Sequence, residues 1–237
     1  MRGESGGRGR AAVAARITVL ALLGAGCHVQ PDTPLTIAAA AGDTESVLRL
    51  LGEGAPIDDQ DGTGCTPLVH AARSGHLATI EALLQRGADP QKAAGSNGWS
   101  PLVHAVHKGQ DAAARLLLEA GASAKDRSGR VALLMAAGYG DAGMVRILID
   151  HGADPGAGEI APLILAEAVG GAWDLDYPWP GCQAHTDTVR ALLAAAPGLR
   201  VGTGLRGRMA LAAARRHGCV DLVALAEGRN APAPHGT

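Results

Sequence analysis

The chain's four cysteines and nine histidines are the residues best suited to chemistry. Cys182, His185, His217 and Cys219 make a nominal two-Cys, two-His set, the donor mix of a structural zinc site. A CxxH followed by an HxC is not a zinc-finger spacing, so we expect no metal there. GTGLRG from Gly202 spells a GxGxxG, yet no strand precedes it, and it reads as a turn rather than a dinucleotide cradle. Asp174 and Asp176 supply too few ligands for a calcium loop and read as solvated acids. His70, His104 and His107 fall on helical patterns with no Ser or Cys nucleophile set beside them. The sequence therefore reads as a non-enzyme with no catalytic residue and no cofactor.

Composition points the same way. The 237 residues are 47% apolar, enough for a packed core, and that share is mostly Ala, Leu and Val with no Phe. Such thin side chains suit short helices packed closely together. A formal net charge of -2 leaves no basic field to collect phosphates, which argues against nucleic acid as a partner.

The N-terminus differs from the rest. Arg2, Arg8, Arg10 and Arg16 precede the apolar run ITVLALL from Ile17 to Leu23, followed by Gly24, Ala25, Gly26 and Cys27. The run is too short to span a bilayer and fits a signal peptide over residues 1–26. LLGAGC resembles the bacterial lipoprotein cleavage box, which implies acylation of Cys27, although Gly24 stands where that family usually has Leu. Cleavage without acylation is the alternative. Removing residues 1–26 takes away four Arg and one Glu, leaving 17 basic and 22 acidic residues and a net of -5. Residues 27–32 would then form a tether reaching about 20 Å, holding the rest of the chain against the membrane. His28, rather than Asp, stands after the Cys, which under the resemblance implies the outer membrane. The expected location is thus the bacterial cell envelope, in the periplasm. After cleavage Cys65, Cys182 and Cys219 remain, an odd number for an oxidising compartment. Cys182 and Cys219 are a possible disulfide, with two separate thiols as the alternative.

All of these residues are positioned by a repeat. TPLTIAAAAG starts at Thr33, TPLVHAARSG at Thr66, SPLVHAVHKG at Ser100, VALLMAAGYG at Val131, APLILAEAVG at Ala161 and MALAAARRHG at Met209, with spacings of 33, 34, 31, 30 and 48. Nearly every copy is followed by a second apolar helix pattern ending at Gly, such as TIEALLQRGA. Thr66 and Ser100 can cap a helix whose first residue is Pro67 or Pro101, and Gly75, Gly109 and Gly140 can end it. Ile80, Leu83 and Leu84 then make one apolar stripe that Gly87 closes. One such pair cannot bury its stripe alone, so the units must stack. DGTG from Asp61 and DRSG from Asp126 read as polar turns projecting between units as fingers.

The pattern resembles the ankyrin repeat family over residues 33–228. The resemblance implies an all-α solenoid of about six helix-turn-helix units with short hairpin-like fingers, and a protein partner held on the concave face. On that face the residues that are polar or aromatic without a packing reason are Asp59, Gln60, Lys92, Asn97, Trp99, His104 and Arg127. The chain departs from the family in two ways. Val69 and Val103 stand where the family has its His, and units four to six lack the capping Thr, which predicts looser capping there. Residues 171–184 are an insertion whose Trp173, Tyr177 and Trp179 are partner-binding candidates or a cover over the groove between units five and six. Residues 229–237 read as a disordered tail. The expected protein is a monomer that binds one folded protein. An immunity protein against a secreted toxin and a structural envelope protein are the alternatives.

Overall fold

The structure is a computed structural model that describes residues 33–95, 97–157, 161–171 and 180–228. The signal segment 1–26, the tether with Cys27, the aromatic residues Trp173, Tyr177 and Trp179, and the tail 229–237 lie outside the described residues.

Among the described residues six helix pairs succeed one another: α1 (Pro34–Ala41) with α2 (Thr44–Gly52), α3 (Pro67–Ser74) with α4 (Leu77–Gln85), α5 (Pro101–His107) with α6 (Asp111–Glu119), α7 (Arg127–Gly138) with α8 (Ala142–Asp150), α9 (Ala161–Gly170) with α10 (Cys182–Ala195), and α11 (Leu205–Arg216) with α12 (Val220–Ala226). Among the described residues there is no strand. First helices stack on first helices, α1 on α3 and so on to α9 on α11, while α2, α4 and α6, then α8, α10 and α12, form the second layer. This is the all-α solenoid that the repeat predicts.

The caps explain the phase. Thr33, Thr66 and Ser100 each accept a hydrogen bond on the side-chain oxygen from the amide three residues on, with Pro next in line as the first helical residue. Each such cap is worth about 1 kcal/mol. Gly75 closes α3 at φ 74°, and a Cβ there would also lie 2.2 Å from the Gln110 carboxamide of the next unit. Gly42 meets the ring of His76 in the same way. A glycine at the end of each of these first helices therefore ends the helix and admits the neighbouring side chain.

The core is a ladder of aliphatic residues, with at least one of Val size or larger buried on each of α1 to α10 and on α12. Leu35, Leu68, Leu102, Leu133 and Leu165 rise through the first layer and Val47, Leu83, Leu117, Leu148 and Leu192 through the second, all essentially inaccessible. Ala39, Ala71, Ala72, Ala105, Ala136 and Ala137 fill the first-helix contacts and let the backbones approach. A Phe-free composition suits that spacing.

Two expectations need correction. DRSG is not a finger turn: α7 starts at Arg127, and Asp126 caps it through Oδ1, which accepts from the Gly129 amide at 2.8 Å. Unit four is thus capped by an aspartate five residues before Val131. Gly129 makes this possible, because a Cβ there would strike the Ala124 backbone at 2.2 Å. Unit six does lack a side-chain cap, α11 beginning after Gly204. The second correction concerns the insertion: α10 starts at Cys182, so the last three residues of 171–184 belong to a helix of 14 residues.

Candidate binding surface

Between α2 and α3, and again between α4 and α5, the chain folds into fingers. The first is closed by Asp61. Its Oδ1 accepts hydrogen bonds from the Thr63 amide (2.8 Å), the Thr63 hydroxyl (2.7 Å) and the Cys65 amide (3.0 Å), and its Oδ2 lies 2.6 Å from Nε2 of His70 on α3. Burial alone would oppose ionisation. The hydrogen bonds from Thr63, His70 and Cys65 outweigh it and hold the carboxyl at about 2, below its ordinary 3.8.

Neighbouring fingers are tied to one another. Gln60 donates from Nε2 to the carbonyls of Gly64 (2.8 Å) and Ala93 (3.2 Å), and Lys92 donates from Nζ to the Asp58 carbonyl at 2.9 Å. The Asp89 amide donates to the Asp58 carboxylate, the Gly95 amide to the Gly64 carbonyl at 2.9 Å, and the Ser123 amide to Oε1 of Gln91 at 3.1 Å. The Gly64–Gly95 approach leaves 2.6 Å between a Cβ at Gly64 and the Gly95 nitrogen, so only glycine fits there, at φ 78°.

The seven finger and helix residues expected to meet a partner therefore divide. Gln60 and Lys92 are half-buried and spend their polar atoms on the inter-finger ties. Asp59 is half-buried and accepts from the Gln60 amide. Asn97 is exposed and turns the second finger by accepting from the Trp99 amide at 2.9 Å. Arg127 is exposed on the first turn of α7. Trp99, half-buried, sets its ring edge-on against His104 and His107, at centroid distances of 5.4 and 5.2 Å. His104 itself is buried, and its Nε2 has no hydrogen-bond partner among the described residues. Burial, then the positive charge of Arg73 and the neighbouring His107, lower its pKa from 6.5 to about 4, so it is neutral.

The sequence reading missed Asp58 and Gln91 as finger-tying residues, the contact of Asp61 with His70, and Tyr139, whose buried phenol meets Nδ1 of His107 at 2.7 Å. The period held the signal: every inter-finger tie joins residues separated by about one repeat length.

At the other end of the stack Cys182 and Cys219 are joined, with Cα atoms 5.3 Å apart. His185 and Cys219 hold equivalent places in adjacent units, but α10 begins one turn early, and that extra turn carries Cys182 to the start of α12. His185, fully buried, gives Nδ1 to the Ala168 carbonyl at 2.9 Å, so the four residues do not gather as a metal set. Between α9 and α11 a groove exposes Met209 above Glu167. The carboxylate of Glu167 is raised in pKa by burial and held 3.2 Å from Arg206.

Comparison with known proteins agrees with this geometry. The family model for Ankyrin repeats (3 copies) matches residues 10–94 and 91–158, well over half of the chain. A putative ankyrin repeat-containing protein of Treponema pallidum (strain Nichols) is 34% identical over 122 residues, 51% of this chain and 30% of that protein. The ankyrin repeat and KH domain-containing protein mask-1 of Caenorhabditis elegans is 46% identical over 59 residues, 25% of this chain and 2% of its own length. The chain thus spans a minor part of each of these relatives. Six stacked helix pairs, a Thr-Pro or Ser-Pro start in the first three units and the family match lead to one conclusion: this chain belongs to the ankyrin repeat family.

Proposed function

We propose that the protein is exported, anchored through an acylated Cys27, and binds a protein partner in the bacterial periplasm through the face made by its fingers and first helices. The observation that carries this reading is the cross-tied fingers. Asn97, Trp99 and Arg127 stand on a surface whose backbone is already fixed by hydrogen bonds between units, so docking a partner orders few further groups. The insertion with Trp173, Tyr177 and Trp179 would supply further anchors at the far end.

The envelope location rests on the N-terminal residues and on the Cys182–Cys219 bond, which suits an oxidising compartment. No helix among the described residues is long and apolar enough to cross a membrane. The mature net charge of -5, from 17 basic and 22 acidic residues, favours a basic partner, and an immunity protein facing a basic secreted toxin is the finer form of the same reading.

Mass analysis of the N-terminal peptide after fractionation of a Gram-negative host tests the location. The expected result is an acylated Cys27 in the membrane fraction that disappears with Cys27→Ser. Residues 1–26 still attached to a cytosolic protein would overturn it.

A further inference from the structure

We propose that Asp61, Cys65 and His70 form a binding site for one zinc ion at the root of the first finger. The Asp61 carboxylate, the Cys65 sulfur and a ring nitrogen of His70 all lie within 4.8 Å of one another. Asp61 and Cys65 are 5% and 8% exposed, while the His70 side chain is 22% exposed and leaves one side open to solvent. One sulfur, one nitrogen and one oxygen ligand with an open fourth position is a donor set that zinc accepts. Zinc's bond lengths of about 2.0 to 2.3 Å put its ligand atoms about 3.3 to 3.8 Å apart. Closing the cluster onto an ion therefore needs only small side-chain movements, and the contact between His70 and Asp61 opens from 2.6 Å.

The surroundings already hold the ligands. Oδ1 of Asp61 is fixed by Thr63 and the Cys65 amide, leaving Oδ2 free to turn from His70 to an ion. Such outer hydrogen bonds orient a ligating carboxylate. Cys65 packs on Val69 and Ala94 and is the free cysteine among the described residues, Cys182 and Cys219 being bonded to each other. On binding, the Cys65 S–H bond breaks and its proton passes to solvent. The Nε2 proton that His70 directs at Asp61 also passes to solvent, Nδ1 keeps its proton or takes one up from solvent, Nε2 coordinates the ion, and no electron changes hands.

The next unit supplies an internal comparison. One unit on, Ala94, Trp99 and His104 take the places of Asp61, Cys65 and His70, the Ala94 amide closing its finger on the Trp99 carbonyl as the Asp61 amide does on that of Cys65. With neither carboxylate nor thiol beside it, His104 is buried against Trp99. The equivalent histidine is thus brought to a ligand set in one unit and not in the other. An Asp61–His70 pair would close the finger without any thiol, so the role of Cys65 separates the zinc site from a purely structural pair.

The test uses the full chain, disulfide intact, carrying Cys27→Ser and stripped of metal, titrated with Co2+ as a spectroscopic probe for zinc. The expected result is saturation at one equivalent, with a thiolate-to-cobalt charge-transfer band and the strong visible bands of a tetrahedral ion, both erased by Zn2+. Cys65→Ser should abolish the charge-transfer band while keeping the helical circular dichroism, and His70→Gln should weaken binding about tenfold or more. Absence of the band in the parent chain overturns the proposal, as does a band that survives Cys65→Ser.

Discussion

Two histidines one period apart, His70 and His104, hold the same place in the repeat and have opposite surroundings. His70 faces an ionised carboxylate at 2.6 Å, whereas His104 is buried beside Trp99 with Nε2 unpartnered among the described residues. The sequence showed that both lie on first helices, because the helical start at Thr66 or Ser100 sets the register. It did not show that one is a ligand-like residue and the other a core residue. That difference depends on the residue at the base of each finger, Asp61 or Ala94, which only the fold brings near. The consequence is a pH dependence. The folded-state pKa of His104 lies at about 4, below its ordinary 6.5, so the unfolded chain takes up a proton first as pH falls. Stability contributed by neutral His104 is complete above about pH 6.5 and is lost progressively down to about pH 4. Urea denaturation of the parent chain at pH 7 and pH 5 should therefore differ by about 2 kcal/mol more than in His104→Leu. Equal pH dependence in the two would show that His104 is not the group responsible.

At the scale of elements, the first three units were legible because Thr or Ser caps, Pro at the first helical position and Gly at the end are local signals that need no tertiary context. The later units were less so. In unit four Asp126 replaces the Thr cap and lengthens α7 at its N-terminus, a change hidden by the expectation of a polar finger at DRSG. In unit five an early start for α10 turns a supposed loop cysteine into a helical one opposite Cys219. That bond closes a sequence separation of 37 residues and ties the last two pairs together. Loop-closure entropy makes such a link worth about 3 to 4 kcal/mol. Cys219→Ser should lower stability by that order in chemical denaturation, with reductant producing the same loss in the parent chain. Because each unit contacts its neighbours only, hydrogen exchange should quicken in α9 to α12 and stay unchanged in α1 to α4. Uniform acceleration along the chain would contradict a locally acting bond.

For the whole molecule, the period is both the fold and the reason that fingers can present a surface. Ties such as Gln60 to Ala93 and Lys92 to Asp58 join residues that are neighbours only because helix pairs stack, and they fix the finger backbones before any partner arrives. Sequence reading expected a partner on this face and counted Gln60 and Lys92 among its contacts, whereas their polar atoms are spent on bonds within the scaffold. Asn97 and Arg127 remain as exposed residues, with Trp99 half-buried and packed on His104 and His107. The central claim is that this face holds a protein partner, and affinity capture tests it directly. The tagged full chain is recovered from host envelopes beside a variant carrying Asn97→Ala, Trp99→Ala and Arg127→Glu, and co-purifying proteins are identified by mass spectrometry. The expected result is one stoichiometric partner on the parent chain, lost from the variant while its helical circular dichroism is retained. A partner held equally by both chains, or none on the parent, would contradict it.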